Sequence, residues 1–121
     1  GDCVVNDDVV YDGGPFAEDN GHALQTGDNN QEMYCNKDIP YGWKATGFRT
    51  YGNQARTTTF YAYEITDTTA TADGTTGLLN GPEKALSTTI AATATNYVGI
   101  HIAITSTADL FYGGYIKIER L

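Results

Sequence analysis

The stretch Tyr97-Val98-Gly99-Ile100-His101-Ile102-Ala103-Ile104 decides the fold. Val98, Ile100, Ile102 and Ile104 alternate with Tyr97, Gly99, His101 and Ala103, the period of two that belongs to a β-strand with one buried face. A slip of one residue would turn all of these aliphatics to solvent, so the register of this strand is firmly set.

Working outward, the segment 110–120 repeats the pattern, with Ile116 and Ile118 inward and Lys117 and Glu119 outward. Its paired glycines, Gly113-Gly114, predict a bulge or a bend where another backbone passes closely. Towards the N-terminus, strand-like runs at 33–39, 43–51, 57–65 and 84–90 are separated by Pro40-Tyr41-Gly42, Gly52-Asn53 and Asn80-Gly81-Pro82. In 57–65 the alternation places Tyr61, Tyr63 and Ile65 on one face, read as the inward one, and Phe60, Ala62 and Glu64 on the other. Residues 66–76 read as a Thr-rich connection. No helical period occurs, and the spacing of strands and turns predicts an all-β chain: an antiparallel sandwich, jelly-roll-like, of seven or eight strands.

With 121 residues the chain is one domain. Its 14 Gly, nine Tyr and 18 Thr suit turns and pleated surfaces better than helices. Residues 1–32 read as an extended N-terminal arm or edge strand followed by a long loop, and 33–121 as the sandwich. The arm carries Val4, Val5, Val9, Val10 and Tyr11 among Asn6, Asp7, Asp8 and Asp12. Such a segment gains by adding to a sheet edge, so these residues are the candidate partner-binding set, against the plainer alternative of a first strand in its own sandwich.

A formal charge of -8 repels phosphate backbones and anionic lipid, which excludes nucleic acid and a membrane surface as partners. No apolar run is long enough to span a bilayer as a helix. The opening Gly-Asp-Cys-Val-Val lacks the features of a signal peptide, which implies that any leader is already gone. Cys3 and Cys35 are the two cysteines. They either close a disulfide that ties the N-terminal segment to a later strand or stay as buried thiols.

Neither His22 nor His101 has a Ser, Cys or carboxylate at a spacing that suggests a catalytic triad, and His101 reads as a partly exposed sheet histidine. The carboxylates between Asp7 and Glu32 lack the alternating ligands of a calcium loop. No catalytic residues, cofactor or metal are therefore assigned. Trp43 and the tyrosines offer ring faces on which sugars stack, against the plainer reading of core and cross-strand pairs.

Five segments in order, Ile39-Pro40-Tyr41-Gly42-Trp43-Lys44-Ala45-Thr46, Phe60-Tyr61-Ala62-Tyr63-Glu64, Gly81-Pro82-Glu83-Lys84-Ala85-Leu86, Thr95-Asn96-Tyr97-Val98 and Tyr112-Gly113-Gly114-Tyr115-Ile116, resemble a group of small virion proteins of marine tailed phages. The resemblance covers about residues 33–118. It implies a β-sandwich structural protein, foremost a capsid decoration or cement protein on the outside of the particle. On that reading the chain assembles in the host cytoplasm, binds the major capsid protein or another virion protein and forms a homotrimer. A tail-fibre or receptor-binding module and a secreted carbohydrate-binding module are the alternatives. The resemblance implies no catalytic residues, and it carries no counterpart of Cys3 and Cys35.

Overall fold

The computed structural model describes residues 3–6, 17–19, 24–26, 29–66 and 70–121. Among them are seven strands of six residues or more, β4 (Glu32–Lys37), β5 (Trp43–Gly52), β6 (Thr57–Glu64), β7 (Ala70–Leu78), β8 (Lys84–Ala91), β9 (Asn96–Ala103) and β10 (Phe111–Arg120). Three short strands precede them: β1 (Cys3–Asn6), β2 (Ala17–Asp19) and β3 (Leu24–Thr26). They form two five-stranded sheets, ordered β1-β4-β9-β6-β7 and β2-β3-β10-β5-β8, with every pairing antiparallel. The chain is an all-β sandwich.

β9 sits at the centre of the first sheet, between β4 and β6. Val98, Ile100 and Ile102 are buried, as is Ile104 just beyond the strand. Phe60, beside them on β6, meets Phe48 of β5 from the facing sheet with ring centroids 5.5 Å apart, while Met33, Leu79 and Phe111 fill the remaining space. Ile116 and Ile118 are partly buried against this core, as the alternation of β10 requires. The Pro40–Trp43 turn closes with Trp43 N–H donating to the Pro40 carbonyl at 3.1 Å, and Gly42 takes the positive φ of 89° that such a corner needs.

The inward face of β6 is the opposite of the one expected. Thr58 and Phe60 are buried, Tyr61 and Tyr63 stand on the outer side, and Ile65 lies past the strand end, 69% exposed. Both faces of this strand carry large residues, so alternation alone does not choose between them. The choice falls to the hydroxyls: a buried phenol needs a hydrogen-bond partner, whereas Phe60 needs none and packs directly on Phe48.

The Thr-rich connection is also more structured than expected, because residues 70–78 form β7 alongside β6. Thr is a good strand former, and β7 shifts register against β6 between Thr59 and Tyr61. β7 is tied across the sandwich edge to β8, where the Thr75 hydroxyl accepts from Ser87 N–H at 2.6 Å.

The segment read as an arm supplies strands to both sheets of its own domain. β1 pairs with β4, setting Val4 opposite Tyr34 and Val5 opposite Met33, and β2 and β3 extend the second sheet from β10. A tethered strand reaches this edge without the concentration cost of recruiting a neighbour's strand, which favours pairing at home. Val9, Val10 and Tyr11 lie outside the described residues.

Two irregularities shape the second sheet. Along β5, Ala45 faces Ile118 and Gly47 faces Lys117, so Thr46 is the extra residue of a bulge that switches which side the strand presents. Along β10, Tyr112 is extra between Phe111 and Gly113, and Gly113 has φ 133°, as the paired glycines predicted. A side chain on Gly114 would collide with the Arg49 carbonyl, the close backbone approach that the second glycine permits.

Candidate functional site

The outer face of the first sheet gathers Tyr34 from β4, Tyr97 and His101 from β9, and Tyr61 and Tyr63 from β6. Antiparallel register brings them together. Tyr34 lies opposite His101, Tyr63 opposite Tyr97, and Gly99 has Asn36 on one side and Tyr61 on the other. Gly99 is therefore the floor of a patch whose neighbours are aromatic rings and one amide.

The rings touch. Tyr34 stacks on His101 at 4.9 Å between centroids and Tyr63 on Tyr97 at 4.9 Å, while Tyr61 leans towards Tyr63 at 6.0 Å and His101 at 6.3 Å. The missing side chain at Gly99 is what lets the patch close. A Cβ there would lie 2.5 Å from Asn36 Oδ1 and 2.8 Å from Tyr63 Cε2, so both side chains occupy ground that any other residue would take.

The polar atoms of the face are mostly uncommitted. Tyr34 O–H donates to Glu32 Oε2 at 3.0 Å, and that same oxygen lies 3.8 Å from His101 Nε2, which is buried and has no hydrogen-bond partner. Among the described residues the hydroxyls of Tyr61, Tyr63 and Tyr97 have none either, nor does the Asn36 amide. Burial, together with the nearby Tyr34, Tyr97 and Tyr61, pushes the Tyr63 phenol up to about 12, so it remains a neutral donor at any ordinary pH. Glu64 stands at the rim beyond Tyr63 and accepts from the Thr95 hydroxyl at 2.8 Å. A half-buried platform of ring faces with free hydroxyls, an amide and a carboxylate can hold a ligand that has both an apolar face and a polar edge.

Trp43, the other aromatic considered for sugar stacking, does not belong to this face. It packs partly on the core at the start of β5, with the Arg120 guanidinium 5.0 Å above its ring. The sequence placed Tyr61 and Tyr63 in the interior and read His101 as ordinary. What it concealed is the cross-strand register that joins them, and the usable signal was Gly99, a residue without a side chain on the outward side of an otherwise large-residue strand.

Cys3 and Cys35 are direct partners in the β1–β4 register, and no free cysteine occurs among the described residues. Among those residues, no three His, Cys, Asp or Glu side chains come close enough to hold a metal ion. Most of the acidic N-terminal loop lies outside them. Between the sheets, Ile39, Val98, Ile100, Phe111, Ile116 and Ile118 line an apolar space of about 520 Å³.

No family model matches this chain, and no curated protein matches it. One solved structure described as "CBM4 structure and function", a carbohydrate-binding module, is similar over 99% of this chain and 95% of its own, with 11% sequence identity and a TM-score of 0.48. At that level the likeness transfers no residue or role, and the tyrosine face stands on the geometry of this chain alone.

Proposed function

We propose that this protein is a non-catalytic carbohydrate-binding module whose ligand lies on the outer face of the first sheet. The observation that carries the reading is the set of Tyr61, Tyr63, Tyr97, Tyr34 and His101 rings grouped around Gly99 with unpaired phenol hydroxyls among them. A pyranose has an apolar C–H face and a rim of hydroxyls. Tyrosine answers both, since its ring covers the face and its O–H exchanges hydrogen bonds with the rim, at little cost in side-chain entropy. Asn36 and Glu32 add an amide and a carboxylate where ring hydroxyls project.

The plain alternative is a cross-strand aromatic ladder that stabilises the sheet and binds nothing. Glycan-array screening of the whole chain, followed by calorimetry with Tyr61→Ala and Tyr97→Ala, separates the two. A neutral oligosaccharide bound by the native chain and weakened at least about tenfold by either variant supports the module. If no glycan binds at millimolar concentration, or both variants bind as the native chain does, the rings are structural only.

The virion reading draws on segments that form the β4–β5 turn and parts of β6, β8, β9 and β10. These are elements of a sandwich rather than of one site, so the resemblance speaks to architecture. A sugar-binding face would serve a receptor-binding virion module and a secreted one equally. The two differ in where the module sits, which localisation on purified particles would decide.

A further inference from the structure

The opposite face of the sandwich has different chemistry. On the outer side of the second sheet, Arg49 and Tyr51 of β5 stand across from Tyr115 and Gly113 of β10, and Lys117 follows opposite Gly47. The Arg49 guanidinium lies over the Tyr51 ring at 4.8 Å, and its Nε–H donates to the Gly81 carbonyl at 3.0 Å. These contacts fix the plane of the side chain. They leave the Nη groups of Arg49 without a partner among the described residues.

Tyr115, 41% exposed, is held beside this fork by its O–H donating to Glu83 Oε1 at 2.8 Å. Gly113 opens the floor between Tyr51 and Tyr115, because a Cβ there would meet nothing within 4 Å. Lys117 is exposed and has no hydrogen-bond or ion-pair partner among the described residues. The face therefore offers a preorganised guanidinium fork, an exposed ring at a fixed position, open ground between them and a second cation. Neither Arg nor Lys occurs among the aromatic residues of the first sheet's outer face, where Glu32 supplies the charge.

We infer that the Arg49–Tyr115 face of the second sheet is a separate binding site for a carboxylate-bearing sugar residue, a uronic acid. The carboxylate is taken by the Nη edge of Arg49, the pyranose lies against Tyr115 over Gly113, and Lys117 attracts the next acidic residue of the chain. A guanidinium matches a carboxylate in a planar two-point contact, and charge-assisted bonds of this kind are the strong ones. The overall charge of -8 opposes any polyanion, and one carboxylate per sugar sets less charge against it than a dense polyphosphate does and matches one fork and one lysine. This site stands apart from the tyrosine face and holds whether or not that face binds a neutral glycan.

The test is calorimetric titration of the whole chain with a uronic-acid tetrasaccharide and with its methyl ester. Binding of the acid and at least about tenfold weaker binding of the ester is the expected result. Arg49→Gln should weaken acid binding about tenfold or more, and Arg49→Lys should recover only part of it, because an ammonium lacks the fork. Arg49 also braces Gly81, so Lys117→Gln, at an exposed side chain with no hydrogen bond or ion pair among the described residues, provides a variant that folds normally and should weaken binding a few-fold, more at low salt. Tyr61→Ala, on the other face, should leave uronate binding unchanged. The inference is overturned if the acid does not bind at millimolar concentration, if the ester binds equally well, if Arg49→Gln and Lys117→Gln both bind as the native chain does, or if Tyr61→Ala abolishes binding.

Discussion

Arg56 and Asp109 meet fork to fork, Nε on Oδ2 at 2.7 Å and Nη2 on Oδ1 at 2.9 Å, and Asp109 is only 1% exposed. Asp109 Oδ2 also accepts from the backbone N–H groups of Thr105 and Ser106, each at 3.1 Å. One carboxylate thus closes the loop between β9 and β10 and ties it to residue 56, just before β6. The Arg56 hydrogen bond, helped by the two backbone donors, holds the Asp109 carboxyl below its ordinary value of 3.8 against the opposing effect of burial.

A group whose pKa is lower in the folded state than in the unfolded one stabilises the fold above its unfolded value, and that contribution is lost as pH falls through the folded value. Melting temperature should therefore be insensitive to Asp109 above about pH 5 and should drop in acid below the unfolded value of 3.8. Asp109→Asn keeps one acceptor and loses the ion pair, with an expected cost of about 1.5–3 kcal/mol near neutral pH. The acid-dependent part of the loss should shrink in that variant. Equal acid slopes in native and variant protein would rule out Asp109 as a source.

Ile102 is fully buried at the centre of the first sheet. Ile102→Ala removes methylene and methyl groups from a site walled by strands on both sides, so urea titration should show a loss of about 2–5 kcal/mol. A loss under about 0.5 kcal/mol would contradict the core that β9 defines.

Gly99→Ala separates the stability of the aromatic face from its use. The added Cβ meets the ends of two surface side chains, Asn36 and Tyr63, which can swing away. The change in unfolding free energy should stay within about 1 kcal/mol. Displacing Tyr63 should nevertheless alter the near-ultraviolet tyrosine dichroism and weaken neutral-glycan binding several-fold. Unchanged affinity would show that the ligand does not use the ground over Gly99.

Cys3 and Cys35 face each other across an antiparallel pair, a position whose Cα separation of about 4.5–5.5 Å lies inside the range a disulfide spans. The protein under oxidising conditions is expected to carry this bond, with a contribution of about 3–4 kcal/mol on the loop-entropy model. Intact-mass measurement after alkylation without reductant should find no labelled thiol, and with reductant it should find both. Two labelled thiols in unreduced, oxidatively purified protein would refute the bond.

The sequence disclosed most where one physical requirement acted alone. In β9 the aliphatics are all on one side, so burial and periodicity agree, and the buried set Val98, Ile100, Ile102 and Ile104 was legible. In β6 two requirements competed, because Phe60 and the tyrosines are all large, and the outcome turned on ring contacts with residues elsewhere in the chain, Phe60 on Phe48 inside and Tyr63 on Tyr97 outside. β7 was hidden because its small polar residues resemble a connection until β6 and β8 flank it. The binding face was the least legible part: Tyr34 and His101 are 67 positions apart in a 121-residue chain, and only the register of β4 on β9 makes them neighbours.

The extra residue at Thr46 works as a frame shift in the pleat. Before it, Trp43 and Ala45 turn towards the core. After it, that duty passes to Phe48 and Thr50, while Arg49 and Tyr51 are delivered to solvent. Had β5 run without the interruption, the parity of the strand would send Arg49 and Tyr51 into the apolar interior and Phe48 to the surface. Deleting residue 46 would remove the extra residue and the bulge together and leave Phe48 inward and Arg49 outward, whereas straightening the strand with Thr46 kept would exchange inside for outside along its whole second half, so the spacing there is worth as much to the molecule as the identity of any one side chain.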